Sequence, residues 1–442
     1  MKNILVIGAG RSAVTLIKYL LDYSFSNNWQ VTVADFSEDL AKESVAEHIN
    51  SRPIFFNVTD TKQREHEISH ADIVISMLPA SFHITVAQDC IKFKKNLVTA
   101  SYVSEEISKL DEAAKEAGVL LLNEIGLDPG IDHMSAMQVI NNIKEKGGEL
   151  TSFKSFCGGL VHPDYDNNPW NYKFTWNPRN VVLAGQGTAQ YIEKGAYKSI
   201  PYTRLFERTE EMVILDAGEF EGYANRDSLS YRASYALETI PTLFRGTLRR
   251  KGYSEAWNIF VQLGMTDDTY RIENSNAITN REFINIFLPF DSVLTVEEKL
   301  CKQFNITTDS SIYQKIDWLG VFSDNVVGVE NASPAQILQA ILEDKWTLGT
   351  EDKDMIVMQH QFEYVQDGGI QKLNSSLIVF GDNPRDTSMA KTVGLPVAIA
   401  TKLILSGKIR LTGVKIPTTS DIYIPILKEL SENGVNFVEE LV

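Results

Sequence analysis

The chain has 442 residues, of which 43% are hydrophobic and 23% charged, the profile of a globular protein large enough for two or three domains. Its formal net charge of −16 disfavours nucleic acid and anionic membranes as partners, because no global positive field attracts phosphates. Three widely spaced cysteines give no disulfide framework and favour a cytoplasmic location. No stretch approaches about 18 continuous apolar residues, so no transmembrane helix is expected.

Residues 1–125 alternate apolar strands with helices, which predicts an α/β fold with a doubly wound parallel sheet. The predicted strands are NILVI, QVTVADF, PIFFNV, ADIVISML, NLVTASY and VLLLNEI. Beyond about Gly148 the pattern is less regular and rich in aromatic residues, which indicates a separate mixed α+β domain. Residues 290–350 are predicted to be mostly helical. The segments MIVMQHQFEYV and SSLIVFGD are predicted to be paired strands that rejoin the second domain's sheet. A long apolar helix, MAKTVGLPVAIATKLILSG, follows them, and the chain ends with a further helix and a short strand.

An aromatic segment lies early in the second predicted domain. In NPWNYKFTWNP the rings alternate with other residues, at Trp170, Tyr172, Phe174 and Trp176. Such alternation predicts a half-buried strand with one face lining the mouth of a pocket. A place in the sheet core or in a dimer interface is the alternative for each ring.

A glycine loop follows the first strand and opens a helix, the context in which G-x-G-x-x-A predicts dinucleotide binding. Gly8 permits the tight turn, Gly10 lets the backbone approach the pyrophosphate, and Ala13 allows close packing of helix on sheet. Asp35 ends the second strand, where a carboxylate accepts both ribose hydroxyls and repels a 2′-phosphate. Arg11 has two interpretations. Its side chain lies over the pyrophosphate or the adenine, or it is simply exposed to solvent.

Other strand ends also carry small or polar residues. In an open parallel sheet, ligands bind beyond the carboxyl ends of the strands, so these residues are expected to converge on one crevice. After Gly8 and Asp35, the remaining predicted ends are Asn57, residues 76–79, Ser101 with Tyr102, and residues 126–130. In the last of these, Pro129 is expected to aim Asp128 into the crevice, although Asp128 could instead cap the next helix.

Three possible metal ligands lie at the same turn. Asp128, Asp132 and His133 could supply ligands, but no second cluster of His, Cys or Asp at ligand spacing accompanies them. No metal is therefore expected, and His133 fits a structural place on the following helix.

Longer segments resemble the glutamate-forming saccharopine dehydrogenases, also called saccharopine reductases. They span residues 76 to about 410 in chain order. The matching segments are TASYVS, NEIGLDPGIDHMSA, SFCGGLVHPDYDNNPWNYKFTWNPRNV, EGYANRDSLSYR, TLFRGTLRRKGY and AKTVGLPVAIATKLIL.

The resemblance implies a fold of three parts and a homodimer. A Rossmann domain would comprise residues 1–130 plus about 388–442. A mixed-sheet domain for substrate and dimerisation would comprise residues 131–289 plus about 351–387. Residues 290–350 would form a small helical domain.

The resemblance also implies the reaction and its residues. Saccharopine would be oxidised at its secondary amine to an imine, which water splits into glutamate and 2-aminoadipate 6-semialdehyde. The residues expected to contact substrate are Ser101, Tyr102, Asp128, Arg226, Arg245, Gly246 and Thr247. The residues expected to contact the cofactor are Gly8, Gly10, Arg11, Ser12, Ala13, Asp35, Phe36, Asn57, Val58, Leu78, Ser101, Leu127, Asp128, Pro129 and Asn177. The region of Trp176 would border the nicotinamide together with Asn177.

Two places depart from the family pattern. Eukaryotic members carry Cys-Arg after the second strand, where the arginine suits a 2′-phosphate. Here the pair is Asp35-Phe36, which favours NAD and leaves NADP possible. Arg11-Ser12 also replaces an apolar pair after Gly10.

The chemistry requires carboxylate holders and an acid/base group. Arg226 and Arg245 can each bind a carboxylate through two parallel hydrogen bonds, or each can be a structural ion pair. Asp128 is the preferred acid/base group, with Tyr102 as the second candidate. Cys157 could reach the same place, although a lone buried cysteine is more often inert packing.

Other functions stay open at this point. A lysine 6-dehydrogenase or a carboxynorspermidine-type dehydrogenase would share the dinucleotide-binding half. The extra arginines in NRDSLSYR favour a tricarboxylate substrate over these. A nucleotide sensor without catalysis is the alternative from another class, and the expected convergence of Tyr102, Asp128 and the arginines argues against it.

Overall fold

Strands and helices alternate through the first 150 residues of the computed structural model, which describes residues 1–442. The strands, numbered in chain order, are β1 (Lys2–Ile7), β2 (Trp29–Asp35), β3 (Ser51–Phe55), β4 (Ile73–Ser76), β5 (Asn96–Val98), β6 (Leu120–Leu122), β7 (Glu149–Val161), β8 (Thr188–Glu193), β9 (Ala196–Pro201), β10 (Thr209–Val213), β11 (Glu219–Ala224), β12 (Thr242–Arg250), β13 (Asp354–Gln366), β14 (Gly369–Phe380), β15 (Gly413–Lys415) and β16 (Phe437–Leu441). The α-helices are α1 (Val14–Asp22), α2 (Ser24–Asn27), α3 (Glu38–Val45), α4 (Thr61–His70), α5 (His83–Lys92), α6 (Glu105–Ser108), α7 (Asp111–Ala117), α8 (Ile131–Glu145), α9 (Pro178–Val182), α10 (Tyr231–Ser234), α11 (Tyr253–Leu263), α12 (Asn280–Ile286), α13 (Val296–Phe304), α14 (Ser311–Trp318), α15 (Pro334–Trp346), α16 (Ser388–Leu405) and α17 (Ser420–Glu432).

The chain divides into two units. The first comprises Met1–Leu150, Tyr364–Ile370 and Leu377–Val438. The second comprises Thr151–Glu363, Gln371–Ser376 and Glu439–Val442. Residues 290–350 fall within the second unit, and the finer division into three domains stays a prediction.

The first unit is built on the predicted parallel sheet, in the order β15-β6-β5-β4-β1-β2-β3. All six predicted strands are present, and every pairing in the sheet is parallel. Residues 4–7 of β1 are buried, as expected of a central strand covered on both faces. The direction of the strand order changes between β1 and β4, which places a ligand crevice beyond their carboxyl ends. The predicted fold class is confirmed.

Helix α16 packs closely against α1 in this unit. A Cβ atom on Gly394 would lie 2.8 Å from the backbone nitrogen of Leu16, so only glycine permits this approach. By length and composition alone α16 could cross a membrane, but 78% of it is buried within the structure. Core helices of soluble proteins pass the same test, so the finding is weak evidence for a membrane span.

Three elements of the first unit were not predicted: helices α2 and α4 and strand β15. Helix α4 is almost wholly polar, so it lacks an apolar stripe to reveal it. Asp60 caps its start, and a buried ion pair at 2.6 Å joins its Arg64 to Asp89 of α5. Strand β15 has only three residues and pairs with β6.

The second unit contains a nine-stranded mixed sheet in which β12 lies between β11 and β7. Strand β12 runs antiparallel to β11 and parallel to β7. Gly222 and Gly246 both lie against the ring of Phe156, where an added Cβ atom would come within 2.7 Å and 2.6 Å of it. These glycines therefore allow the ring to pack flat on the sheet. Strands β13 and β14 are present as predicted.

The prediction of a half-buried strand at the aromatic segment was wrong. Residues 170–176 are irregular, and Trp170, Tyr172 and Phe174 are all buried in one core cluster with Trp346. Asn168 replaces strand pairing here, because its side chain accepts from the Trp170 backbone N–H and donates to the carbonyl of Tyr172. The core surrounds the segment, so alternate rings do not divide between a buried and an exposed face.

Candidate active site

The glycine loop has the shape that a bound pyrophosphate requires. Gly8 has φ +104°, and a Cβ atom there would lie 2.9 Å from the carbonyl oxygen of Met77. A Cβ atom on Gly10 would meet nothing within 4 Å, so open space adjoins the loop. No side chain caps the 3₁₀ turn Arg11–Ala13 that begins there and leads into α1. Arg11 is exposed, Ser12 half-buried and Ala13 buried, and the exposed loop backbone fits a phosphate.

Asp35 lies beside this loop at the end of β2. One oxygen of its carboxylate accepts the Ala9 backbone N–H at 2.7 Å, and the other accepts the Ser37 N–H at 2.8 Å. Since an ionised carboxylate offers about four acceptor positions, capacity remains for ribose hydroxyls. The rings of Phe36 and Phe55 lie 5.5 Å apart, 71% and 45% exposed. An exposed aromatic pair beside a ribose acceptor fits an adenine ring.

The loop after β3 borders the same edge of the sheet. The Asn57 backbone N–H donates to the Gln63 side chain at 2.9 Å, and the carbonyl of Val58 accepts from Arg64 at 2.6 Å. Both residues are half-buried, as is Leu78 after β4. Helix α4 thus holds Asn57 and Val58 in place.

A chain of three polar side chains links the ends of β4 and β5. His83 lies between two hydroxyls, with Nδ1 2.9 Å from Ser76 Oγ and Nε2 2.7 Å from Ser101 Oγ. Ser76 and His83 are buried, whereas Ser101 is half-buried. Burial lowers the pKa of His83 to about 4, so its imidazole is neutral at pH 7.

Tyr102 and Asp128 meet in the first unit. The Tyr102 hydroxyl donates to Asp128 Oδ1 at 3.3 Å, and both side chains are half-buried. Buried Glu124 stabilises the backbone next to Tyr102, because its carboxylate accepts the Val103 N–H at 2.9 Å. The other carboxylate oxygen of Glu124 lies 2.9 Å from His133 Nε2.

The turn at residues 126–130 presents Asp128 without using it as a helix cap. Helix α8 has Gly130 as its N-cap, and no side chain caps it. The Gly130 N–H donates instead to Asp132 at 2.6 Å, and the Gly126 N–H donates to the carbonyl of Pro129. Leu127 is buried within this turn. The alternative in which Asp128 only caps the next helix is therefore not what the structure shows.

Arg245 lies on β12 in the second unit and is 5% exposed. Its guanidinium carbon lies 4.2 Å from the centre of the Tyr231 ring, a cation–π contact. Its backbone N–H donates to Ser228 Oγ at 2.9 Å. The arginine is thus a preformed, largely dehydrated cation in this unit.

Arg226 follows β11 next to Arg245, since the Asn225 N–H donates to the carbonyl of Arg245 at 2.8 Å. Arg226 is exposed and has φ +48°. Thr247 is half-buried on β12, opposite Tyr223 and Cys157 on the neighbouring strands. Asn177 is the exposed N-cap of α9, where its side chain accepts the Arg179 N–H.

Sequence reasoning did not identify three residues whose contacts the structure reveals: His83, Glu124 and Arg249. His83 lies in the SFHITV run seven residues after Ser76, a spacing that only the fold turns into a contact. Glu124 precedes the DPG turn. Its contact with buried His133 could not be predicted, because no sequence spacing is typical of a buried carboxylate paired with a buried histidine. Arg249 is 4% exposed and lies over the rings of Tyr172, Tyr223 and Tyr253, which are far apart in sequence.

No group of three or more His, Cys, Asp or Glu side chains is arranged to hold a metal ion. Asp132 accepts the Gly130 N–H within the turn, and His133 contacts Glu124. Asp132 and His133 therefore have structural contacts in this fold.

Comparison with known proteins extends over the whole chain. Residues 4–122 match the model of the saccharopine dehydrogenase NADP binding domain, and residues 126–435 match that of the saccharopine dehydrogenase C-terminal domain. A saccharopine dehydrogenase [NADP(+), L-glutamate-forming] of Pyricularia oryzae is 34% identical over 100% of this chain and 99% of its own. The mitochondrial alpha-aminoadipic semialdehyde synthase of Rattus norvegicus is also 34% identical, but the match spans only 47% of that longer protein.

A solved structure extends the similarity to the fold. The apo saccharopine dehydrogenase (L-Glu forming) of Saccharomyces cerevisiae superposes with a TM-score of 0.90 at 33% identity, covering 100% of both chains. Full-length agreement in sequence, in both domain models and in fold confirms the resemblance found from the motifs. The chain belongs to the saccharopine dehydrogenase family.

Proposed function

We propose that this protein is an NAD(P)-dependent oxidoreductase of lysine metabolism that interconverts saccharopine with glutamate and 2-aminoadipate 6-semialdehyde. The observation that carries the proposal is the full-length similarity to an enzyme named for this activity. The Tyr102–Asp128 pair, beyond the carboxyl ends of the parallel sheet, supports it from the structure.

The reaction defines what the protein must do. A bound nicotinamide would supply the acceptor for a hydride from the carbon next to the secondary amine of saccharopine. The amine loses its proton, and one water then adds to the imine and cleaves the carbon–nitrogen bond. The protein must orient the substrate and manage these protons.

Asp128 is the proposed acid/base group. Its carboxylate can accept the amine proton, release it to solvent, and then accept a proton from the attacking water. The Tyr102 hydroxyl, 3.3 Å from Oδ1, orients that carboxylate. Glu124 fixes the backbone next to Tyr102 and so maintains the pair.

Arg226 and Arg245 are the proposed holders of substrate carboxylates. Guanidinium groups bind carboxylates through two parallel hydrogen bonds, and burial strengthens such bonds because water competes less. Thr247 offers a hydroxyl donor, and Gly246 lies between it and Arg245 on β12. Asn177 and the neighbouring Trp176 remain proposed neighbours of the nicotinamide.

We propose NAD as the preferred cofactor, with NADP as the alternative. The matched domain model and the fungal relative are both named for NADP, so the comparisons do not support this preference. It rests on Asp35, whose carboxylate would repel a 2′-phosphate, and on Phe36, which offers an apolar ring there. Exposed Arg11 and Lys42, which pairs with Glu38 at the surface, are the candidate phosphate partners if NADP is preferred.

A substrate panel tests the proposed function. Nicotinamide absorbance should be followed with saccharopine, with lysine, and with glutamate plus the semialdehyde, using NAD and NADP in parallel. Turnover of saccharopine and none of lysine is expected. Turnover of lysine alone would support a lysine 6-dehydrogenase, and cofactor binding without turnover would support a sensor; the comparisons favour neither.

A homodimer and a cytoplasmic location also remain proposals. The dimer rests on the family resemblance, and the location rests on three cysteines that are all free thiols. Light scattering across a dilution series would test the dimer, and a single monomer mass at all concentrations would contradict it.

A further inference from the structure

The relay formed by Ser76, His83 and Ser101 has a direction that follows from burial. Ser76 is completely buried, and its hydroxyl has one partner, the Nδ1 atom of His83 at 2.9 Å. A buried hydroxyl proton without an acceptor is costly, whereas a spare lone pair costs less. Ser76 therefore donates its proton to Nδ1, and this nitrogen carries no hydrogen.

The neutral ring then carries its proton on the other nitrogen. A neutral imidazole has one N–H donor and one acceptor, so Nε2 is the donor. Nε2 lies 2.7 Å from Ser101 Oγ, and the Ser101 hydroxyl has no other partner. His83 therefore occupies an acceptor position of Ser101 and leaves the hydroxyl proton of Ser101 unused.

We propose that His83 is a positioning residue that fixes Ser101 as a hydrogen-bond donor to an oxygen atom of the bound ligand. Ser101 is half-buried three residues beyond β5, so its unused proton can reach a ligand in the crevice. The acceptor is a carboxylate oxygen of the amino-acid substrate or the carboxamide oxygen of the nicotinamide. The inference rests on the proposed function, which places Ser101 against both ligands.

A double-mutant cycle tests the relay. Ser101→Ala should weaken binding of one ligand about tenfold, the usual effect of removing a hydrogen bond to a charged or strongly polar group. His83→Leu should produce part of that loss in the wild-type background and none in the Ser101→Ala background, because the two side chains act through one bond. His83→Gln, which can still donate a proton toward Ser101, should restore most of the affinity. Additive losses would overturn the proposal, as would unchanged affinity in folded His83→Leu.

The two possible sources of the acceptor oxygen are separated by measuring both ligands on each variant. A rise in the KM of saccharopine with unchanged cofactor Kd assigns the bond to a substrate carboxylate. A weaker cofactor Kd measured without substrate assigns it to the carboxamide.

The tautomer of His83 provides a readout that does not depend on activity. Nitrogen NMR of the ring in the ligand-free wild type should show the proton on Nε2, and Ser76→Ala should loosen this preference. A proton on Nδ1 would overturn the proposal even if every variant were inactive. Absence of saccharopine turnover in the wild type would instead refute the proposed function, and the tautomer and cofactor measurements would still decide the relay.

Discussion

The two units present their polar groups in different ways. In the first unit, Asp35 and Asp128 lie at or beyond strand ends, half-buried and held by an N–H group or a hydroxyl. In the second, Arg245 lies within a long strand, buried and stacked on an aromatic ring. Half-buried acceptors keep part of their hydration and allow ligand entry, whereas a buried guanidinium has already lost its water. Proton transfer and ribose recognition suit the first arrangement, and anchoring of an anion suits the second.

Removing the charge at Asp128 should have the largest effect. Asp128→Asn keeps the shape of the side chain but removes its basicity, so kcat should fall by about 10²–10⁴. Tyr102→Phe, which removes only the supporting hydroxyl, should cost less. Steady-state kinetics of both variants across pH provides the measurement. Near-normal turnover by Asp128→Asn at every pH would show that solvent or the substrate amine handles the proton.

Acid should destabilise the first unit through His83. Burial lowers the pKa of His83 in the folded protein to about 4 from its ordinary value of 6.5, so the unfolded state binds the proton more tightly. The neutral ring contributes its full stability above pH 6.5, and this contribution is lost as the pH falls toward 4. Linkage gives a loss of about 3 kcal/mol.

Denaturant unfolding at pH 7 and pH 4 measures this loss. His83→Gln is the reference, because glutamine does not titrate and other groups contribute equally to both proteins. Equal pH dependence in wild type and His83→Gln would refute burial as the cause.

Arg245→Lys should weaken saccharopine binding at least tenfold, since lysine keeps the charge but loses the planar fork. The cofactor Kd should be unchanged, because the residues proposed for the nucleotide belong mainly to the first unit. Arg250→Lys, on the same strand and stacked on Phe220, is the matched control and should leave the saccharopine KM unchanged. Equal loss of both affinities in Arg245→Lys would identify a structural residue instead.

The smallest expected effect concerns cofactor choice. Asp35→Asn removes the negative charge that would repel a 2′-phosphate, so the ratio of kcat/KM for NAD over NADP should fall roughly tenfold. Asp39→Asn, an exposed acid in the first turn of α3, should leave the ratio unchanged. A wild type that prefers NADP would contradict the role given to Asp35.

Sequence reasoning succeeded where chain order determines position. Parallel strands bring their carboxyl ends to one edge, so Gly8, Asp35, Ser101 and Asp128 could be placed there before any contact was known. The relay through His83 could not be predicted, because it depends on how α5 lies against β4 and β5. The half-buried strand was wrongly predicted at the aromatic segment for a related reason. Alternation indicates a strand only if one side faces solvent, and here the core surrounds Trp170 and Tyr172. Arg245 was identified through family resemblance alone, since its burial and its contact with Tyr231 arise from residues distant along the chain.

Product analysis tests the central claim most directly. Wild-type protein should be incubated with saccharopine and oxidised cofactor, and the products identified and counted by mass spectrometry. The account predicts glutamate and 2-aminoadipate 6-semialdehyde in equal amounts, with an equal amount of reduced cofactor. Release of lysine and 2-oxoglutarate instead, which requires cleavage on the other side of the bridging nitrogen, or the absence of any product, would contradict it.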